Sequence, residues 1–278
     1  MMDMNMKKRN VVSFYIFLCI FALITLFPFY WEFLTSIKKP GDIFGSFKPF
    51  TLDPTLNSYI TIFSVRPFAK YLLNSLIVAG VTTLFAIVVS SLTAYAVARL
   101  HFKGKSIILG LVLAISMFPQ IAIISPIYIF IRNLGLRNSY AGLVIPYTAF
   151  AVPMAVWYLS AFFKTIPLSL EEAGKMDGAT PFQAFYKIIA PLAAPGMFTT
   201  AILVFIAAWN EYLFSLTINT DDLMRTVPVG ITMYVGQYTI PYGEIAAGVV
   251  VVTVPLVIMV LFFQKQIVSG LTSGAVKG

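Results

Sequence analysis

Six stretches of this chain are mostly apolar over lengths that reach or exceed a membrane crossing, and they restrict the possible folds more than any motif does. They cover residues 11–37, 72–98, 107–131, 140–163, 197–218 and 244–268. A helix that crosses the hydrocarbon core of a bilayer needs about 20 mostly apolar residues. Each stretch meets that length. The expectation is an all-α integral membrane protein with about six transmembrane helices, forming a single transmembrane domain because the loops between the spans are too short to fold alone.

Charge usage agrees. Charged residues make up 11% of the chain, whereas a soluble domain carries about 25%. The net charge of +8 does not mark a nucleic-acid surface, because the basic residues are scattered among short loops with no basic stripe. Membrane lipid and topology account for them better, and nucleic acid is not expected as a partner.

Lys7, Lys8 and Arg9 precede the first span, as in a secretory leader. The apolar run that follows exceeds the roughly 7–15 residues of a leader and ends in Trp31, Glu32 and Phe33 without a small-residue cleavage site, so a retained helix is expected. Six spans put both termini on one side. With that side cytoplasmic, Lys7, Lys8, Arg9, Arg99, Lys103, Lys105, Lys164, Lys175, Lys187, Lys265 and Lys277 lie inside. The remaining basic residues lie outside, a small excess in the positive-inside direction. The long loops are then 38–71 and 219–243 outside and 164–195 inside.

Catalytic and metal-binding patterns are missing. Cys19 and His101 are single residues of their type and cannot build a Cys or His cluster. Gly104, Lys105 and Ser106 copy the end of a phosphate-binding loop, but Arg99 stands where its first glycine belongs and a membrane helix precedes it. No catalytic site and no bound cofactor are expected in this chain.

Acidic residues inside the spans are few: Glu32 and Glu244 near helix ends, and Glu211. An intramembrane charge is a functional candidate by default. Trp209, Asn210, Glu211 and Tyr212 together offer a stacking ring, an amide, a carboxylate and a hydroxyl, the groups that hold a polyol. They are the candidate substrate pathway, against an amphipathic reading in which Trp and Tyr sit at the membrane interface. Pro119 and Pro126, with Gln120, mark either a bent pathway helix or a merely kinked one.

The polar interruption at 164–195 carries repeated helix-start signals. Ser169 and Glu172 have capping-box spacing, which predicts a helix from about Leu170. Gly178 supplies a residue able to take positive φ and end it. Thr180 and Gln183 repeat the box, with Pro181 at the first helical position, and Phe182, Phe185, Ile188 and Ile189 line one side of the second helix. A helix, a glycine turn and a second helix are expected outside the hydrocarbon. They form either an amphipathic hairpin on lipid headgroups or a docking element, and the paired glutamates favour docking.

The segment "EAGKMDGATPFQAFYKIIAP" resembles the EAA loop of permease subunits of binding-protein-dependent ABC importers. Glu172, Ala173 and Gly178 match, with Ile188 and Pro191 in register; Gly174 replaces the third alanine and Ala190 the leucine. "AYAVARLHFKGK", "AAWNEYLFSL" and "GLTSGAVKG" resemble the carbohydrate branch, of maltose- and trehalose-type second permeases. The resemblance implies a permease subunit in a prokaryotic cytoplasmic membrane, working with a second permease subunit, two ABC ATPase subunits that bind ATP and Mg, and an extracytoplasmic sugar-binding protein. It further implies ATPase coupling through Glu171, Glu172, Ala173, Gly174, Met176, Asp177, Gly178, Ala179, Thr180 and Pro181, with Glu172 the acidic contact. Gly270, Leu271, Thr272, Ser273 and Gly274 would reach the ATPase, and the 219–243 loop would face the binding protein. The rival readings are an ion-coupled secondary transporter or channel, and a structural scaffold.

Overall fold

The computed structural model describes residues 2–44, 48–236 and 239–273, with side chains for 11–44, 48–236 and 239–265. In chain order its helices are α1 (Met2–Ser36), α2 (Asn57–Ser64), α3 (Phe68–Arg99), α4 (Lys105–Ser116), α5 (Gln120–Asn133), α6 (Tyr140–Thr165), α7 (Leu168–Met176), α8 (Pro181–Leu192), α9 (Ala194–Trp209), α10 (Leu213–Ile218), α11 (Val227–Thr232) and α12 (Tyr242–Ser273). No strand occurs among the described residues. The protein is an all-α multi-pass membrane protein.

Segments of α1 and α12, with the whole of α3 and α6, are each long and apolar enough to cross a membrane. The pairs α4 with α5 and α8 with α9 reach that standard only jointly, bent by 96° and 79°. The α8–α9 bend falls at Ala193, before the expected 197–218 stretch, and two of the expected stretches are themselves divided. The 107–131 stretch divides at residues 117–119, where Pro119 is extended with ψ 120°. A proline offers no N–H to the turn before it and pushes the preceding residue out of the helical region. The 197–218 stretch divides at residues 210–212, between α9 and α10.

The chain forms two compact units. The first comprises Met1–Phe68 with Ile231–Val254. In it nearly every side chain of α1 from residue 11 to 33 is exposed, which for a helix this apolar means a face for lipid or another chain. The foot of α1 is anchored by the Ser36 and Tyr59 hydroxyls, 2.7 Å apart. The buried Lys38 ammonium donates to the Lys48 carbonyl at 3.1 Å and lies 4.7 Å above the Trp31 ring. Arg66 pairs with Glu244 at 3.2 Å.

The second unit comprises Ala69–Gly230 with Pro255–Gly278. Its centre is α6, which contacts α4, α9 and α10. α6 stays unbroken through Pro146 and Pro153, both buried, and the Ser90 hydroxyl donates to the Val152 carbonyl beside the second of them at 3.2 Å. Gly196 of α9 lies against the ring of Phe162, where an added Cβ would come within 2.5 to 2.7 Å of three ring carbons. At one end of the unit Asn74 donates to the carbonyls of Leu223 and Arg225 at 2.9 and 2.8 Å and accepts from the Tyr140 hydroxyl. At the other end α7 and α8 pack on the ends of α3 and α6.

Candidate functional site

α6 ends at Thr165 and α7 begins only three positions later, at Leu168. Pro167, with ψ 132°, is the N-cap residue, and no side chain caps the helix. The expected box of Ser169 and Glu172 does not form, because Ser169 already lies inside the helix. Pro167 turns the chain two positions earlier than the Ser-x-x-Glu spacing suggests. The carbonyls at this junction are met from elsewhere. The Arg99 guanidinium, at the end of α3, donates through Nη2 to the Phe163 carbonyl at 2.6 Å and also to that of Ile166.

α7 is amphipathic in an unusual sense, since its buried face carries a charge. Glu171 is fully buried. Its Oε1 accepts from the Tyr95 hydroxyl at 3.0 Å and pairs with Lys175 at 2.9 Å, and its Oε2 lies 3.8 Å from Arg99 Nε. Gly174, one turn on, is buried against Ile188 of α8. Glu172, Ala173, Met176 and Asp177 face outward, and Met176 is 88% exposed. Glu171 and Gly174, expected among the surface contacts, are thus turned inward; adjacent helix positions differ by about 100° in direction.

The turn after α7 satisfies its last carbonyls with two bonds. Ala179 N–H donates to the Gly174 carbonyl at 2.9 Å and Gly178 N–H to that of Lys175 at 3.0 Å. This six-to-one and five-to-two pattern needs a left-handed residue, and Gly178 has φ +83°. α8 then opens on a complete capping box. Gln183 N–H donates to Thr180 Oγ1 at 3.3 Å, and Thr180 N–H to Gln183 Oε1 at 2.9 Å. Pro181 occupies the first position, as expected.

α8 widens into a π-type turn over Phe185–Ile189. Pro191 follows closely and cannot donate to the turn before it, which a wider turn accommodates. Phe185 and Ile189 are buried with Tyr95, Phe163, Ile166 and Leu159 in one apolar cluster. Phe185 lies 5.2 Å from the Tyr95 ring and 6.4 Å from that of Phe163. Phe182 does not join them and is 63% exposed.

The residues of the Trp209 to Tyr212 group meet different partners. Trp209 is buried and stacked on Phe205 at 5.6 Å. Asn210 turns back to donate to the Ile206 carbonyl at 2.9 Å. Glu211 accepts from the backbone N–H groups of Phe214 and Ser215 at 2.8 and 3.3 Å, capping α10, and Tyr212 is largely exposed. The Glu211 carboxylate therefore holds the break in the span. At the C-terminus, Gly270, Leu271, Thr272 and Ser273 continue α12 beyond the described side chains, and Gly274 lies outside the described residues.

Arg99 and Tyr95 are the functional candidates that pattern reading passed over. Their signal was present: both lie in the "AYAVARLHFKGK" segment, one turn apart, and Arg99 is a charge closing an apolar span.

α7 and α8 thus form a capped helical hairpin clamped to the ends of two membrane helices, α3 and α6. Residues 86–273 match the family described as the binding-protein-dependent transport system inner membrane component, and the chain belongs to that family. It is 47% identical to the trehalose transport system permease protein SugB of Mycobacterium tuberculosis, over 91% of this chain and 93% of the relative. It is 46% identical to the trehalose/maltose transport system permease protein MalG of Thermococcus litoralis, over 92% and 93%. Its fold resembles a chain of a bacterial ABC transporter that imports the acidic polysaccharide alginate, with TM-score 0.79, 21% identity and 91% and 95% of the chains covered. Nothing in these relatives favours an ion-coupled carrier.

Proposed function

We propose that this chain is the permease subunit of an ATP-driven importer for a di- or oligosaccharide of the trehalose or maltose kind. The likeness to two such permeases over more than nine tenths of the chain carries this reading. A second permease subunit would complete the pathway, an extracytoplasmic binding protein would deliver the sugar, and two ABC ATPase subunits would hold ATP and Mg. Both termini and the 164–195 loop would be cytoplasmic.

The outward face of the hairpin is the proposed ATPase contact: Glu172, Ala173, Met176 and Asp177, continuing through Gly178, Ala179, Thr180 and Pro181. Its exposed Met176 beside exposed acids suits a cleft that is apolar within and basic at its rim. Closure of the ATPases would shift the hairpin and with it the balance between inward-open and outward-open states. The proposed C-terminal contact, Gly270 to Gly274, would reinforce it.

The test is the complete importer in proteoliposomes, loaded with ATP and supplied with binding protein and labelled trehalose or maltose. Glu172→Lys is expected to abolish uptake and ATPase co-purification while the chain still inserts in the membrane. Normal uptake by that variant would overturn the assignment of the contact.

A further inference from the structure

We infer that Arg99 is a positioning residue that joins the coupling hairpin rigidly to α3 and α6, so that displacement of α7 becomes displacement of both spans. The inference rests on the permease reading above. It starts from one planar group that reaches three elements. Arg99 is the last residue of α3, and its side chain is 6% exposed. Its guanidinium holds the carbonyls of Phe163 at the end of α6 and Ile166 in the linker, and its Nε faces Glu171 of α7 at 3.8 Å. Tyr95, one turn earlier on α3, holds the other Glu171 oxygen at 3.0 Å. α7 is therefore tied to α3 at two successive turns, and α3 to the end of α6.

The apolar cluster beneath cannot do this alone. Contacts among Phe163, Ile166, Phe185 and Ile189 are non-directional, and such surfaces can slide over one another with little change in contact. Charge-assisted bonds to a rigid fork fix direction as well as distance. Stability is a poor explanation for the cluster, because a buried ion pair often contributes less than apolar residues of the same volume. Here Arg99 Nε and Glu171 Oε2 face each other without a hydrogen-bond partner in the structure. The contact between them is therefore an ion pair without a hydrogen bond, and direction is fixed by the Tyr95 bond to Glu171 and by the Arg99 bonds to the Phe163 and Ile166 carbonyls.

The experiment compares Arg99→Lys, Tyr95→Phe and wild type in the reconstituted importer, measuring three quantities: ATPase subunit retained per permease, ATP hydrolysed, and sugar accumulated. Arg99→Lys keeps the charge and loses the fork. It is expected to retain the ATPase and hydrolyse ATP, while sugar moved per ATP falls by about tenfold to a hundredfold, as for other small misplacements of a positioned group. Tyr95→Phe, which deletes one hydroxyl, should show a smaller fall in the same ratio. If Arg99→Lys does not accumulate in the membrane, the ratio in Tyr95→Phe decides. An unchanged ratio in an assembled importer, or uptake reduced only in proportion to the complex formed, overturns the inference and leaves the permease reading intact. A wild-type chain that never retains an ATPase overturns the reading itself.

Discussion

Gly174 stands where the permease pattern has alanine, and the structure gives the reason a quantity. A helical glycine costs about 0.8–1.0 kcal/mol relative to alanine, so Gly174→Ala should stabilise α7 if nothing intervenes. The added Cβ, however, would overlap the Ile188 Cδ1 methyl, while Ile188 Cγ1 would be in ordinary contact at 3.8 Å. Cδ1 is the far end of a flexible side chain and can rotate away, at an off-rotamer cost of about 0.5–1.5 kcal/mol. The two effects nearly cancel. Gly174→Ala alone should therefore fall between a gain of about 0.5 and a loss of about 0.7 kcal/mol in local stability, by that difference. Ile188→Val removes only the obstructing methyl. On that background Gly174→Ala should yield its full gain of about 1 kcal/mol, a coupling between the two positions of the size expected for residues in contact. The readout is amide hydrogen exchange of the hairpin in nanodiscs, followed at Asp177, Gly178 and Ala179, whose N–H groups bond the carbonyls of Ala173, Lys175 and Gly174. These amides report local opening without requiring reversible unfolding of the whole protein. About fivefold slower exchange is expected for the double variant relative to Ile188→Val, with little change for Gly174→Ala relative to wild type. Equal slowing on both backgrounds would refute the claim that Ile188 occupies the space an alanine needs.

Two further substitutions test the capping of the hairpin. Gly178→Ala meets no atom within 4 Å but is held at φ +83°, so its cost is the backbone term alone, about 1–2 kcal/mol; exchange at Ala179 should quicken about tenfold, and unchanged exchange would mean that the turn can re-form without a left-handed residue. Thr180→Ala removes the acceptor from the Gln183 N–H and should destabilise α8 by about 1 kcal/mol. Ser169→Ala, at the box that does not form, should stay within about 0.5 kcal/mol of wild type; equal effects of the two in the same exchange assay would contradict the observed helix starts.

The membrane spans were legible because their length is a property of the bilayer and needs no knowledge of neighbours. Their breaks were not. Pro119 interrupts a span, whereas Pro126, Pro146 and Pro153 lie within helices. In α6 neighbouring helices and the Ser90 bond to the Val152 carbonyl surround the prolines, but Pro126 lies within α5, where only Ile131 is buried, so enclosure alone does not decide the outcome. The capping boxes divide in the same way. Thr180 follows a glycine turn that leaves the chain free to enter a helix, and its box forms; Ser169 follows Pro167, which has already started one.

The paired glutamates show where a linear pattern stops informing. Glu171 and Glu172 are chemically identical neighbours, and the family resemblance emphasises the second. Which one turns inward depends on where α3 ends. Tyr95 and Arg99 present a hydroxyl and a guanidinium to the underside of α7 and, with Lys175 on α7 itself, meet the carboxylate buried at position 171. An apolar residue there would leave the Arg99 charge buried and unpaired, which costs more than losing the pair as a whole. Glu172 then points away from the bundle by helical geometry and presents its charge outward. Holding and presenting are thus assigned to adjacent residues by a helix that lies more than seventy positions earlier in the chain.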